Sequence, residues 1–540
     1  MQHPKFSFPF FNPAKKGPVT LVLCLLCFLL ASPVSANKLQ WAIDQAVKSG
    51  QTMIKLPAGR YELAPVNGSH LRFAGLKDVT IDARDVEIVC TETTVAVNIL
   101  NCKNLRIVGL TVDYDPLPFT QGRIVEIAED RKSHVIEITD GFPPADKAYV
   151  FKHAVYTPEG ELRFGNYYRF QLEVLSPKRL RIFGLPSHVD GGEQIGDTVV
   201  VGAQHLNGPY IPHAIITKNS VGTVFYEVTL YSSPCFGFFE VASSESVYMN
   251  CVIDRREGRM RSLNADAFHS KHAEVGPKIV NCKAMWQSDD CVNICGDYYL
   301  VASGKGRKWR LLGNREFHLK PGDPLELVTP EGKRLPDAVV ISVEKEGEVS
   351  AKDRAFFNAL NLNQKVKNSM RAVYSVELDH DVDLPPGSVM ASTKRKGNGF
   401  AVMNCTFGNV RSRGILIKAS EGEISKNLIV NTHMQSIKIS PEYHWLESGF
   451  SRNLVVKGNR IINPGREAIS IKGVGPHPGH ENIDVINNSI QTGVFPAVNI
   501  QSVRNGKVSS NEIRSMDGTL QTDAIEVKFC ENFETNHEIN

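Results

Sequence analysis

Ile279-Val-Asn281-Cys282 is echoed by Val402-Met-Asn404-Cys405, by Leu428-Ile-Val-Asn431 and by Val485-Ile-Asn487-Asn488. Each is a short apolar run closed by an asparagine step. Related β-branched runs bounded by Gly, Asn and Asp lie at Val79-Thr-Ile81, Leu105 to Val112, Val247 to Val252, Leu454 to Asn463 and Val508 to Ile513. Where nothing large intervenes they recur about every 22 to 32 residues. A fixed period of this kind marks a solenoid, and short strands with Asn-rich turns mark a β-solenoid. A β-sandwich would not repeat its asparagine step in register.

Outward from the repeat, Leu39, Ala42, Ile43 and Ala46 stand at helical spacing, and Ile54-Lys-Leu-Pro-Ala-Gly-Arg-Tyr61 reads as a strand and turn. Two stretches lack the period. One shows hairpin-like alternation at Gly122-Arg-Ile-Val-Glu-Ile127 and His134-Val-Ile-Glu-Ile138; the other has turn signals at Gly313-Asn314 and Lys320-Pro-Gly-Asp323. Both read as small β-domains inserted in coil loops, the second leaving right after Asp289-Asp290 and so expected beside that segment. The predicted organisation is a signal peptide over 1–36, a cap and first coils over 37–117, and an insert over 118–207. Coils over 208–296, a second insert over 297–389 and final coils over 390–540 complete it.

The first 36 residues carry Lys5, Lys15 and Lys16 before an apolar run from Leu21 to Leu30, then Val34-Ser-Ala36. This is the pattern of a secretory leader cleaved after Ala36, and the apolar run is shorter than the roughly 20 residues a membrane span needs. A secreted or periplasmic destination follows. Removing the leader takes away three lysines and no acid, so the formal charge of +3 falls to zero. That balance offers no case for a nucleic-acid or membrane partner. Nine cysteines remain without ligand-type spacing, so no metal or other cofactor is expected and most should be buried apolar groups.

The polar segments that carry chemistry are Asn264-Ala-Asp266-Ala-Phe-His269 and Gln287-Ser-Asp289-Asp290-Cys291-Val-Asn293. Asp266 lies 24 residues before Asp290, one coil. Aligning the coils puts Asp266, Asp290, Arg413, Gln435 and Glu467 in one column, at about 4.8 Å per coil. Carboxylates one coil apart cannot both ionise cheaply; such an arrangement suits a cation or an acid and base acting together. Calcium would draw on Asn264 and Asn293 as further oxygen ligands. Glycoside hydrolysis would use the carboxylates around a water. Both Asp289 and Asp290 can reach one groove only if the chain bends between them. Candidate substrate-binding residues are Arg413, Glu467, His269, Asn293 and Trp445, the last in an insertion, Pro441 to Glu447, that could wall the groove.

The N-terminal helix followed by Ile-x-Leu-Pro-Ala-Gly-x-Tyr resembles the cap of right-handed parallel β-helix enzymes. The implied fold class is all-β, a right-handed parallel β-helix with two inserted small β-barrel-like domains. Asn264-Ala-Asp266 with Asp289-Asp290 is similar to the polygalacturonases of glycoside hydrolase family 28, but no Gly-His-Gly follows. A fuller resemblance is to glycoside hydrolase family 110, through Asn-Ala-Asp, Asp289-Asp-Cys-Val-Asn293, Arg411-Ser-Arg413-Gly-Ile-Leu-Ile417 and the two inserts. It implies metal-independent, inverting, exo-acting release of terminal α-1,3-linked galactose from branched blood group B-type or linear glycans. The implied catalytic residues are Asp266, Asp289 and Asp290, with Asp289 the acid and the other two holding the water. Calcium-dependent polysaccharide lyases and non-enzymatic glycan-binding adhesins share the β-helix and stand as alternatives.

Overall fold

The computed structural model describes residues 36–168, 170–183, 192–203 and 211–536. Most of the leader read in the sequence lies outside these residues. The helix Ala36–Lys48 buries Leu39 and Ile43 against the first coil. Its Gln40 amide donates to the Arg72 carbonyl and accepts from the Arg72 N–H, so a side chain takes the place of a neighbouring strand at the open edge of Ser69–Ala74.

Beyond the helix the chain winds as a parallel coil. One sheet stacks Ser69–Ala74, Val95–Leu100, Ile215–Lys218, Phe238–Val241, Phe268–Lys271, Val292–Asp297, Ile415–Ile417, Ile437–Ile439, Ile469–Ile471, Val498–Gln501 and Ile525–Lys528, each paired in parallel with the next. A 21-stranded sheet closes the other sides. The crossovers are right-handed, making a right-handed parallel β-helix. One apolar core fills it from Leu39 to Ala524.

The corners explain the asparagine steps. Asn250, Asn281, Asn404, Lys426, Gly458, Asn487 and Ser510 all turn with φ of 54–63°. That left-handed conformation suits Gly and Asn. Each is followed by an inward residue: Cys251, Cys282, Cys405, Asn427, Asn459, Asn488 or Asn511. The asparagines form a buried ladder. Asn459 Oδ1 accepts from the Asn427 N–H and amide at 3.1 and 2.9 Å, and the pattern repeats from Asn459 to Asn488 and from Asn488 to Asn511. The Leu428 to Asn431 repeat read above belongs elsewhere. Thr406 pairs with Leu428, so Asn431 stacks on Asn409 at a second, exposed corner. The sequence frame had merged two corners because both call for a left-handed asparagine. All nine described cysteines are free, and eight are buried.

The first insert is a seven-stranded antiparallel sheet spanning Phe119–Ile127 to Thr198–Gly202. Two apolar clusters cover its faces, one around Ile136, Val155 and Val201, the other around Phe119, Tyr156 and Val200. The second is a closed five-stranded barrel from Tyr299–Gly313 to Val389–Ser392. It also contains helices Ala351–Ala359 and Gln364–Ser369, which the strand-centred sequence reading missed. Their signal was present: Ser350 and Asp353 form a reciprocal capping box.

Asn459→Ala should lower stability by about 2–4 kcal/mol, because it strands the Asn427 N–H inside the coil; thermal unfolding measures this. In the first insert His134 and His153 are buried without hydrogen-bond partners among the described residues, their rings 5.7 Å apart. Burial pushes His134 down to about 4. The unfolded chain takes up that proton near pH 6.5 and the folded chain only near 4, so stability should fall as pH drops through this window. His134→Leu should flatten that loss in a melting-temperature series from pH 7 to 4.

Candidate functional site

Strand register brings the column together. Phe268 pairs with Val292, Val292 with Ile415, Ile415 with Ile437 and Ile437 with Ile469. Two residues upstream on each coil stand Asp266, Asp290, Arg413, Gln435 and Glu467. The chain bends at Ser288 and Asp289. Asp289 therefore leaves the strand alternation and faces its neighbours: one carboxylate oxygen from each of Asp266, Asp289 and Asp290 lies within 4.8 Å of the others.

Each carboxylate has its own donors. Asp290 accepts from the Ser412 hydroxyl at 2.6 Å, the Arg413 N–H at 3.0 Å and the Arg413 guanidinium at 3.0 Å. Asp289 lies between Lys152 Nζ at 2.5 Å and Arg411 Nη2 at 3.0 Å, an arrangement that holds negative charge. Asp266 is bonded to His269 Nδ1 at 2.7 Å. Burial, with the charge of Asp289 next, pushes Asp266 up to about 7. Burial would lower His269, but Asp266 and the Cys295 thiol beside its other nitrogen carry it up to about 10, so the imidazole is cationic at neutral pH. Its ring stacks on Phe236 at 4.5 Å.

The remaining candidates fall around this centre. Asn293 accepts from Lys418 Nζ at 3.2 Å and donates to Glu447 at 3.4 Å. Glu467 stays in the column but is bonded to Gln435 and Lys472, three coils beyond Asp290. Trp445 lies half-buried in a single 3-10 turn, Tyr443–Trp445, with its ring edge-on to His444. What the 441–450 loop brings is charge. Glu447 and Ser448 pair antiparallel with Asp297 and Gly296, folding the loop back over the strand that follows Asp290. Glu442 then binds Arg413 at 2.8 Å and Lys438 at 2.8 Å. Burial would raise Glu442, but Arg413, Lys418 and Lys438 outweigh it and hold it at about 2.

Sequence reasoning missed Lys152, Arg411, Glu442 and Glu447 around the triad. Arg411 and Ser412 were legible, since both flank the column residue Arg413. Lys152 was not, because it arrives from the first insert, 137 residues before its partner. The second insert, expected beside the site, shares that place with the first. From its barrel Glu326 accepts from the Phe450 N–H and from Tyr298, fixing the far end of the 441–450 loop. Asn264 is no ligand to the triad: its amide donates to the Pro118 and Ala203 carbonyls, the two necks of the first insert.

Among the described residues two groups of side chains have metal-like convergence, the aspartate triad and His269 with Cys295 and Glu447. Neither suits a divalent cation. The triad's charge is met by Lys152, Arg411, Arg413 and His269, and Glu447 is paired with the buried Lys418 at 2.7 Å. The calcium reading is disfavoured on these grounds.

No protein-family model matches the chain. It is similar to the α-1,3-galactosidase B of Bacteroides thetaiotaomicron, 21% identical over 481 residues, covering 81% of this chain and 74% of that relative. The α-1,3-galactosidase A of Shewanella woodyi is 20% identical, covering 84% and 79%. That of Streptomyces avermitilis is 24% identical over 287 residues, half of this chain and 44% of the relative. Among solved structures, an endo-xylogalacturonan hydrolase from Aspergillus tubingensis aligns over 90% of both chains at 10% identity and a TM-score of 0.43. An exopolygalacturonase from Thermotoga maritima aligns over 91% and 87% at 12% identity and a TM-score of 0.36.

Calcium at millimolar concentration should leave the thermal midpoint of the protein unchanged; a rise of several degrees would show a cation site the charge balance does not allow for.

Proposed function

We propose that the protein is an exo-acting glycoside hydrolase, secreted or periplasmic, that releases terminal α-1,3-linked galactose from glycans with inversion. The observation that carries this reading is the meeting of Asp266, Asp289 and Asp290 at one bend of the coil, each with its own donors. The names of the similar curated proteins support the sugar and linkage. The 441–450 loop supports exo action, because it folds back on Val292–Asp297 and sets Glu442 on Arg413, the column residue next to Asp290.

Burial and the neighbouring Asp289 charge push Asp266 up to about 7, so below that pH its carboxyl holds a proton beside Asp289. In the reaction that proton passes through Asp289 to the glycosidic oxygen as the C1–O bond breaks. Water adds to C1 from the opposite face, and its proton goes to Asp266 beside Asp290. Oxygens within 4.8 Å are closer than the roughly 6.5–9.5 Å usual between inverting carboxyl groups. Spacing alone would therefore suit a retaining pair. Inversion is favoured because Asp289 and Asp290 are each clamped through both oxygens, which blunts either as a nucleophile.

Asp266→Asn, Asp289→Asn and Asp290→Asn should each lower kcat on an α-1,3-galactosyl disaccharide by about 10²–10⁴-fold with the fold intact by circular dichroism. Turnover near wild type in all three would remove the assignment. Proton NMR should show β-galactose as the first product; α-galactose first would establish retention. Asp266 loses its proton above about 7, so kcat should decline on the alkaline side from about that pH. EDTA should not change it.

A further inference from the structure

The first insert meets the coil at the triad, and several independent contacts hold it there. Lys152, at φ 50°, kinks the strand Phe151–Tyr156 and places its ammonium on Asp289. The side chain is 3% exposed. Arg261 is fully buried; its guanidinium donates to the Lys152 carbonyl and, at 3.1 Å, to Asn264 Oδ1. Asn264 in turn grips both necks of the insert. Two glycines record how close the approach is. A Cβ on Gly165 would meet Arg411 Cδ at 2.6 Å, and one on Gly202 would meet the Asn264 amide at 2.9 Å. The strand of the insert that carries Gly165 therefore leaves Arg411 just the space to reach Asp289.

From this geometry we infer that the first insert is part of the catalytic apparatus, with Lys152 a further catalytic residue and Arg261 and Asn264 positioning residues. The inference rests on the proposed hydrolase reading. As Asp289 gives its proton to the leaving oxygen, it gains a negative charge in a buried place. Lys152 and Arg411 already point at the two oxygens on which that charge appears, so they stabilise it without rearranging. If Lys152 served only to hold the insert in place, its loss would lower the rate alike at every pH.

The experiment is the pH profile of kcat/KM for wild type, Lys152→Met, Lys152→Gln and Lys152→Arg on an α-1,3-galactosyl disaccharide. Removing a cation beside a carboxyl group raises its pKa. Lys152→Met and Lys152→Gln should therefore lose at least 10-fold at the optimum and move the alkaline limb up by about one unit or more. Lys152→Arg should return the limb to its wild-type place and recover part of the rate. Arg261→Lys should move the limb the same way by less. Profiles that superimpose after scaling would make Lys152 structural and overturn the inference while leaving the hydrolase reading standing. A wild-type protein that releases no galactose overturns both.

Discussion

Everything in this molecule depends on coils staying in register. Parallel strands about 4.8 Å apart fix the axial spacing, but the ladder alone could slip. The corners prevent it. A left-handed residue turns the chain at each coil, and the residue after it points inward to bond the coil above and below, as Asn427, Asn459, Asn488 and Asn511 do. One residue of slip would bury the left-handed corner and strand a row of amides without partners. The same register puts Asp266 under Asp290 and Asp290 under Arg413.

A solenoid offers a long flat face, and on its own that face would accept a polymer anywhere along it. The inserts change this. The first delivers Lys152 and packs Gly165 against Arg411; the second braces the 441–450 loop through Glu326. The coil supplies precise side-chain height, and the inserts supply enclosure and counter-charge. Trp286 illustrates the division of labour. It packs beside the first insert with the Arg255 guanidinium 3.5 Å from its ring centre.

Three carboxylates this close are tolerable because cations are interleaved with them. Asp266 faces His269, Asp289 faces Lys152 and Arg411, and Asp290 faces Arg413, which then meets Glu442. Alternating charge limits the cost of burial while leaving one proton mobile at neutral pH, held where burial and the Asp289 charge oppose ionisation of Asp266.

The residues alone determined the coil, through the recurrence of apolar runs and asparagine steps, and the column Asp266, Asp290, Arg413, Gln435, Glu467, through counting from those steps. Both are periodic, and a period is visible in a linear string. Which asparagine belonged to which corner was not, since Asn431 and Asn404 look alike until strand pairing separates them. Only the tertiary structure decided that the chain bends at Asp289, that Lys152 and Arg411 share that carboxylate, and that the 441–450 loop brings Glu442 to Arg413. These contacts arise where inserts and loops fold back on the coil. Their sequence separations follow no repeat, so the aspartates were legible in the chain and their counter-ions were not.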